Sequence, residues 1–421
     1  QFNLNDVEEI DWYNAYYLHE QDFVNLIDIT GTNGGGREFY GETMNLKQNK
    51  LTITLPTSYA RTDMKAHCNI QFAANSGQNT TASVRVNYAG KTETKKIKGL
   101  TDEHTRARLD SLILDVNPVS GSEQIFNFTF SGSTSNANAY LNYIELNIPC
   151  SLIMTGNEMP ISSKTIQSKK PVIRYRLQGT TPQTQIWRIN DGVHIEQIPT
   201  EYNNNVLTWL GDNTKVEQYV AVNTSSSTWK KPVTIGRVPN QNLHQLENID
   251  YVIICPSEFV SPAKRLAKKH EEIDNMTWAV VTAEQVYNEF SSGTPDASAY
   301  RWLMKMLYDR AAGDHTKTPK HLLLMGDGTY DNRQIFRASI SGANTLLTYQ
   351  AKNSTVETSA YATDDYFGFL EDEAGVRQGV FIDRHATMNI GVGRLPVKTL
   401  DEAEYMVNKI CTYIDDGAKG K

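Results

Sequence analysis

The hydrophobic pattern of this 421-residue chain changes at Ile249, and that change most limits the folds open to it. Before Ile249, apolar and polar residues alternate in short runs such as Val84–Tyr88 and Phe126–Phe130, which Gly, Ser, Asn and Thr clusters separate. Such alternation is typical of strands with one wet face, and it predicts an antiparallel β-sandwich over residues 1–160. Further short strand candidates predict a smaller β module over residues 161–245, or an extension of the first, with a boundary near Ser162 to Lys164.

After Ile249 the apolar runs are continuous, as in strands that are buried on both faces. The clearest such run is Tyr251–Cys255, and the other predicted strands are Trp278–Val281, His321–Met325 and Met388–Gly393. Between and after them, capping residues predict helices that begin near Ser261-Pro262, Thr282, Thr294-Pro295 and Thr399. Strands that alternate with helices predict a parallel α/β sheet over residues 246–421. The predicted fold class is therefore α+β and multidomain.

Composition excludes several function classes. The chain has 41 Lys+Arg against 48 Asp+Glu, a net charge of −7, and no basic cluster, which argues against nucleic-acid binding. No apolar run approaches the roughly 18 to 20 residues of a membrane helix. The chain begins at Gln1 without a signal peptide, so we expect a processed form or a cut piece.

The four cysteines, Cys68, Cys150, Cys255 and Cys411, lie far apart and form no Cys-x-x-Cys pair. This spacing argues against a zinc knuckle or a thioredoxin motif. Cys68 and Cys150 either form a disulfide in an oxidising compartment or remain free, buried thiols. The sequence leaves both alternatives open.

In an open parallel sheet, ligands bind at the carboxyl ends of the strands. The predicted ends are Cys255, Thr282, Gly326-Asp327-Gly328 and Arg394. Acidic loops add the remaining candidates, so we predict that Asp327, Asp331, Asp364 and Asp365 lie close together at this edge, where they hold Ca²⁺ or line a substrate cleft. The alternative is that these residues are solvated loop acids and local caps.

No cysteine–histidine pair is predicted within the chain. Cys255 ends a strand, whereas His321 begins one and His385 precedes one, so both histidines belong to the opposite, amino edge of the sheet. His270 falls on the apolar stripe of a predicted helix. The sequence also lacks a phosphate-binding loop and a G-x-S-x-G elbow, and Gly31–Gly36 is predicted to be a flexible loop.

Several segments resemble the gingipain family of cysteine peptidases, and in particular its sortase branch. They occur in that family's order, at residues 238–244, 287–296, 321–331, 363–368 and 391–397. A weaker resemblance covers Phe39–Glu42 and Tyr140–Ile144 in the β-rich region.

The resemblance implies that residues 246–421 are the first half of a caspase-like catalytic domain. The family's catalytic His follows a strand and lies in a Gly-His-Gly-like turn, which this chain lacks, so the His/Cys dyad is expected downstream of Lys421 and the chain alone is expected to be inactive. The implied parent is a type IX secretion sortase, which removes C-terminal sorting domains from secreted cargo at the outer membrane or cell surface of a Gram-negative bacterium. Its expected partners are cargo proteins and secretion components, and it requires no cofactor except, in one interpretation, Ca²⁺.

Two other functions stay open. The chain could be a non-enzymatic surface adhesin or scaffold that retains a degenerate caspase-like domain. An α/β hydrolase is a third, weaker alternative. A Gly-His-Gly turn and a later strand-end Cys downstream of Lys421 would favour the peptidase.

Overall fold

A computed structural model describes residues 7–28, 34–162, 170–189, 191–234, 236–336, 345–372, 376–377, 380–381 and 387–416. The chain forms two compact units. Unit 1 comprises Gln1–Asp22, Tyr40–Glu103 and Ala107–Ile235, and unit 2 comprises Phe23–Phe39, His104–Arg106 and Gly236–Lys421. The domain boundaries drawn from the sequence stay predictions, and most of the proposed boundary near Ser162 lies outside the described residues.

Unit 1 consists of β-strands wherever its regular structure is described. In chain order they are β1 (Glu8–Ile10), β2 (Trp12–Glu20), β3 (Thr43–Asn45), β4 (Lys50–Pro56), β5 (Ala66–Asn75), β6 (Thr81–Tyr88), β7 (Lys91–Lys98), β8 (Arg108–Val116), β9 (Glu123–Gly132), β10 (Asn138–Ser151), β11 (Glu158–Ser162), β12 (Val172–Gln178), β13 (Thr184–Ile189), β14 (Ile195–Ile198), β15 (Glu201–Asn203), β16 (Val206–Asp212) and β17 (Gln218–Asn223).

Two antiparallel sheets form the larger sandwich. One has the order β2-β10-β5-β8, with β3 also paired to β10, and the other has the order β4-β9-β6-β7. Along β9, Phe126, Phe128 and Phe130 are buried while Ile125 is 43% exposed. This alternation confirms the sandwich-like sheets predicted for the N-terminal region.

Two further sheets, β1-β12-β16-β15 and β11-β17-β13-β14, form a smaller layer pair. Tyr175 of β12 stacks on Trp209 of β16 with ring centroids 4.8 Å apart, and Tyr219 of β17 meets both rings edge-on at 5.5 and 5.7 Å. These three buried rings therefore join the two sheets through one aromatic core.

Cys68 and Cys150 are both free and buried. Leu146 of β10 pairs with Cys68 of β5, so Cys150 lies four residues further along β10, which is about 13 Å in an extended strand. A disulfide needs Cα atoms within about 7 Å. The register therefore excludes the Cys68–Cys150 bridge, and burial raises the pKa of both thiols to about 12.

Unit 2 contains the remaining strands and the described α-helices. They are β18 (Tyr251–Cys255), α1 (Val260–Asp274), β19 (Trp278–Thr282), α2 (Ala283–Phe290), α3 (Ser298–Arg310), β20 (His321–Met325), β21 (Tyr349–Gln350), β22 (Ala362–Thr363), β23 (Val376–Arg377), β24 (Val380–Phe381), β25 (Gly391–Leu395) and α4 (Leu400–Asp415). Short 3₁₀ turns occupy Leu243–Gln245, Ser257–Phe259, Glu357–Ser359 and Asp365–Gly368.

Four of these strands form a parallel sheet in the order β19-β18-β20-β25. Ile253 and Cys255 of β18 pack in the core under α1 and α4, whereas Val252 and Ile254 pack in the core under α2 and α3. All of β18 is buried, as the continuous apolar run predicts. The predicted parallel α/β layer is confirmed.

Several element boundaries differ from the predictions. Helix α3 begins at Ser298 rather than near Thr294, because the Asp296 carboxylate accepts the Ser298 backbone N–H at 2.7 Å. Strand β25 begins at Gly391 rather than Met388, since the Asn389 side chain instead accepts the Leu370 N–H at 2.9 Å.

Helix α1 also differs from its prediction. It begins at Val260 rather than at a Ser261 cap, because the 3₁₀ turn just before it continues directly into the α-helix. Ile273, near the end of the helix, is 55% exposed. No helix within the described residues is long and apolar enough to cross a membrane.

Candidate functional site

Arg394 organises the carboxyl edge of the parallel sheet. It sits near the end of β25, where its Nε and Nη2 donate to the two Asp364 carboxylate oxygens at 2.7 and 2.8 Å. It also donates to the carbonyls of Gly326 at 3.0 Å and Leu347 at 3.1 Å, and more weakly to those of Asp327 and Leu346. A planar guanidinium with five donors can hold several acceptors at once. One side chain therefore fixes three loops that are far apart in sequence.

The glycines of the Gly326-Asp327-Gly328 turn make room for this arrangement. A Cβ on Gly328 would lie 2.7 Å from the Thr348 methyl carbon and 3.5 Å from the Arg394 guanidinium carbon. The backbone of Asp327 also pairs with Thr345 as an isolated parallel bridge. The turn is thus tightly packed against the loop that precedes β21.

The four predicted carboxylates have separate roles. Asp327 pairs with Lys398 at 3.3 Å, and Asp364 is held by Arg394. Asp331 is buried and accepts the backbone N–H groups of Ile335 and Phe336, both at 2.9 Å. Asp365 is exposed, at the start of a 3₁₀ turn.

These carboxylates do not fit a calcium site as arranged. Calcium takes six to eight oxygen ligands, yet cations or backbone donors already engage three of the four carboxylates. Among the described residues, no group of three or more His, Cys, Asp or Glu side chains could hold a metal ion. The arrangement instead favours Asp331 as a local cap and Asp364 as an anchor for Arg394.

Cys255 is at the carboxyl end of β18, as expected, but it is fully buried. Its sulfur lies 3.9 Å from the Val281 carbonyl oxygen. Burial, with a smaller contribution from the Glu284 charge, raises the pKa of the thiol to about 12. The thiolate is the nucleophilic form, so a thiol held protonated at neutral pH is unsuited to peptide cleavage.

The histidines named in the sequence lie away from Cys255. His321 begins β20 at the amino edge, where its ring meets Tyr251 edge-on at 6.5 Å. His270 lies on α1, with Nδ1 2.7 Å from an Asp274 carboxylate oxygen and its ring 5.3 Å from Tyr251. His385 lies outside the described residues.

Part of the glycine-rich run near the N-terminus packs tightly within unit 2. A Cβ on Gly34 would lie 2.2 Å from the Tyr330 ring, and one on Gly35 would lie 2.5 Å from the Ala360 carbonyl oxygen. Gly36 has a φ of +72° and would meet the Asn353 carbonyl at 2.1 Å. Gly34–Gly36 form a loop without regular structure, in which the glycines permit close approach, and the predicted flexibility stays a prediction. Gly31–Asn33 lies outside the described residues.

A cavity of about 820 Å³ opens at this edge of unit 2. Its walls come from residues 37–39, from the turn before α3, from the loop after β20 and from the segment around β21. The lining residues are Arg37, Phe39, Thr294, Pro295, Asp296, Ala297, Ser298, Tyr330, Asn332, Arg333, Leu347, Thr348, Tyr349, Gln350 and Tyr366. This volume is within the range of ligand pockets.

Sequence reasoning placed Arg394 at a strand end but missed its role as the clamp. The signal was present, because a lone arginine in the strand Gly-Val-Gly-Arg-Leu must find acceptors if it is buried. Sequence reasoning also missed Gln350 and the contribution of Arg37 and Phe39. Their proximity depends on a contact between segments about 300 residues apart, for which the sequence carries no local signal.

Comparison with known proteins agrees with this geometry. Residues 244–421 match the model of peptidase family C25. The dimeric latent PorU of Porphyromonas gingivalis matches with 27% sequence identity and a TM-score of 0.81, over 98% of this chain and 39% of that protein. The chain thus spans well under half the length of PorU.

Two carbohydrate-binding modules of the CBM36 type match only part of the chain. One is from the hindgut metagenome of Trinervitermes trinervoides, with 12% identity over 31% of this chain and 96% of that chain and a TM-score of 0.20. The other, solved with calcium and xylotriose, has 14% identity over 32% and 99% and a TM-score of 0.19. No curated protein matched this chain.

Proposed function

We propose, from the match of residues 244–421 to peptidase family C25, that the protein is part of a gingipain-like cysteine endopeptidase. The observation that carries the proposal is this match, together with a PorU-like fold over 98% of the chain. Unit 2 supplies the parallel sheet and the loops at its carboxyl edge, which is where open α/β sheets bind their ligands.

The proposal places the catalytic histidine and cysteine outside residues 1–421. A thiol nucleophile needs a base within hydrogen-bond reach and a pKa low enough to ionise. Cys255 is buried with its pKa raised to about 12, which fits a core residue and not a nucleophile. Unit 2 would then position substrate and support the catalytic half of the domain.

The finer proposal is a role in type IX secretion. The parent protein would cut C-terminal sorting domains from secreted cargo and act at the cell surface of a Gram-negative bacterium. Its partners would be cargo proteins and secretion components. The likeness to PorU supports this role, because that likeness extends over the β-rich unit 1 as well as the matched family segment.

The test uses the full-length gene product and a reporter protein fused to a C-terminal sorting domain. We expect cleavage ahead of the sorting domain, and we expect iodoacetamide to abolish it. Residues 1–421 alone should give no cleavage. Cys255→Ala in the full-length protein should keep the activity, because the side chain is in the core.

Two results would contradict the proposal. Loss of activity in a folded Cys255→Ala protein would mean that the active site lies in this chain after all. A full-length protein that binds surface components but cleaves no fusion would instead support the adhesin or scaffold function.

A further inference from the structure

We propose that the outer face of the sheet β11-β17-β13-β14 in unit 1 binds an extended polypeptide segment in which a lysine or arginine adjoins aliphatic residues. The site is a groove of about 610 Å³ between these four strands and the side chains of Thr224 and Trp229, which we call the outer groove. Three features carry the inference: an apolar outer face, two indole rings held in place, and a carboxylate without an ion pair. The inference goes beyond the peptidase function and does not rest on it.

The first feature is that this sheet is apolar on both faces. Two alternate residues of β17, Tyr219 and Ala221, pack in the core of unit 1. The residue between them, Val220, lies opposite Pro160 of β11 and Trp187 of β13, and all three line the outer groove. Antiparallel sheets commonly have one packed face and one solvated face. Contiguous apolar side chains on the second face mark a site of interaction.

The apolar surface continues as far as β14. There Ile189 pairs with Ile195, which lines the groove and is 59% exposed. The outer face of β6 in the larger sandwich is different, since Ser83, Arg85 and Asn87 occupy its alternate positions. Adjacent strands are about 4.8 Å apart, so four strands span about 14 Å, the length of about four extended residues. The outer groove therefore has the length of a short extended segment.

The second feature is the pair of indole rings that line the groove, Trp187 and Trp229. The Trp187 Nε1–H donates to Gln185 Oε1, and the Trp229 Nε1–H donates to the Asn223 carbonyl, both at 3.0 Å. Both indole N–H groups are thus satisfied within the protein, which fixes the rings. No cation within the described residues lies over either ring. Among aromatic side chains, tryptophan attracts a cation to its face most strongly.

The loop after β17 holds Trp229 at one end of the groove. The Asn157 side-chain amide donates to the Thr228 hydroxyl oxygen at 2.8 Å, and the Asn223 N–H donates to the Asn157 carbonyl, also at 2.8 Å. Asn157 directly precedes Glu158, the first residue of β11. These hydrogen bonds therefore bring Trp229 and Glu158 to the same end of the groove, which both of them line.

The third feature is charge. Glu158 is the charged residue among those that line the groove, and its exposed carboxylate has no ion-pair partner within the described part of the chain. Lys230 and Lys231, which follow Trp229 in sequence, are not among the lining residues. The lining thus carries one negative charge at the end that holds an indole ring. A carboxylate beside an indole complements a cation on an apolar arm, which lysine and arginine side chains provide.

The three features together define the ligand. A lysine or arginine side chain would place its cation between Glu158 and the Trp229 ring, and aliphatic neighbours would pack on Trp187 and Ile195. The probes are three pentapeptides with blocked ends: Ser-Lys-Val-Leu-Ser, a match with glutamine in place of lysine, and a match with serine in place of both aliphatic residues. Isothermal titration calorimetry with residues 1–421 measures their dissociation constants.

We expect the lysine peptide to bind about three- to tenfold tighter than the glutamine peptide, the combined size of a partly exposed ion pair and a cation–π contact. The serine match should bind at least about tenfold more weakly, because it buries less apolar area. Glu158→Gln should remove the preference for lysine. Glu201→Gln, at an exposed position of β15 outside the groove, is the matched control and should keep it.

Two further variants separate the apolar and aromatic contributions. Ile195→Ser should weaken the lysine and glutamine peptides equally, about threefold, because it removes apolar contact without changing charge. Trp229→Leu should lower the preference for lysine, because leucine is apolar but has no aromatic face. Glu158, Ile195 and Trp229 are all exposed, so substitutions there leave the core of unit 1 intact.

Equal binding of the lysine peptide and either of its matches, or no binding of any probe, would overturn the inference. A preference for lysine that survives Glu158→Gln would overturn it as well. Binding of dodecyltrimethylammonium in place of all three peptides would assign the groove to a cationic amphiphile instead. Because these measurements involve no cleavage, a failure here leaves the peptidase proposal as it stands.

Discussion

Units 1 and 2 use their β-sheets in opposite ways. In unit 1 the strands have one buried and one wetter face, so neighbouring residues such as Ile125 and Phe126 differ in exposure from 43% to 0%. In unit 2 the central strand β18 is buried on both faces, and Ile253 and Ile254 are each 0% exposed. A sheet covered on both faces offers only its edges to a ligand. At β18, a ligand can therefore reach unit 2 only at the ends of the strand.

The two units also use ion pairs differently. In unit 1, Glu217 is buried and accepts from Arg188 at 2.8 Å and from the Asp212 N–H at 3.0 Å, which ties strands of the smaller layer pair together. In unit 2, the pair of Arg394 with Asp364 is one part of a larger set of hydrogen bonds to loop carbonyls. The same charge chemistry stabilises strands in one unit and positions the candidate site in the other.

The largest predicted effects test the difference in burial. Phe126→Ala should destabilise unit 1 by about 3–5 kcal/mol, whereas Ile125→Ala, one position along β9, should cost less than about 1 kcal/mol. In unit 2, Ile253→Ala and Ile254→Ala should each cost about 2–5 kcal/mol, because both neighbours are in a core. Urea unfolding followed by pulsed hydrogen exchange and mass spectrometry measures the free energy of unfolding of each unit separately.

The decisive quantity is the difference in unfolding free energy between the two variants of each pair. If the Ile253 and Ile254 variants differ as much as the Phe126 and Ile125 variants do, then β18 is not covered on both faces. If Ile125→Ala costs as much as Phe126→Ala, the outer face of β9 is buried by something that the sandwich alone does not provide.

A smaller effect tests the clamp at the sheet edge. Arg394→Met should cost unit 2 about 3 kcal/mol, because the half-buried Asp364 carboxylate and the loop carbonyls lose their donors. Arg394→Lys should recover only part of this loss, since an ammonium group cannot form the two parallel bonds to Asp364. Full recovery by lysine would show that charge alone matters. Unit 1 stability, read in the same experiment, is the internal control.

The sequence predicted elements far better than it predicted the site. Continuous runs such as Tyr251–Cys255 became strands with the predicted bounds, because burial on both faces leaves a clear pattern. The Thr282 capping box and the Thr399 cap also formed as predicted, since capping depends only on residues within one turn.

The exact ends of some elements and the contacts of the site could not be predicted from the local sequence. Ends of elements shifted where a side chain such as Asp296 or Asn389 found a partner nearby in the fold. The site depends on contacts such as that of Gly34 with Tyr330, and no local periodicity records which distant segments will meet. The sequence named four carboxylates as candidates for this edge, but it could not show that Arg394 and Lys398 would engage two of them.

The smallest predicted effect concerns Glu289 of α2, which holds the chain just before β18. Its carboxylate accepts the Leu243 N–H at 2.7 Å and the Gln241 side-chain amide at 2.9 Å, and it pairs with His244 Nδ1 at 2.6 Å. Partial burial opposes ionisation, but these hydrogen bonds outweigh it and lower the Glu289 pKa to about 2. A carboxyl group whose pKa is lowered by folding stabilises the protein above its unfolded pKa, about 4.3, and loses that contribution as the pH falls toward 2.

Glu289→Gln should therefore cost unit 2 about 1–2 kcal/mol at pH 7 and less than half of that at pH 3. Glu284→Gln, at an exposed position of the same helix, should cost almost nothing at either pH. Urea unfolding of unit 2 at pH 7, 5, 4 and 3 gives the comparison, and a deficit for Glu289→Gln that stays constant down to pH 3 would mean that its ionised form does not hold this turn.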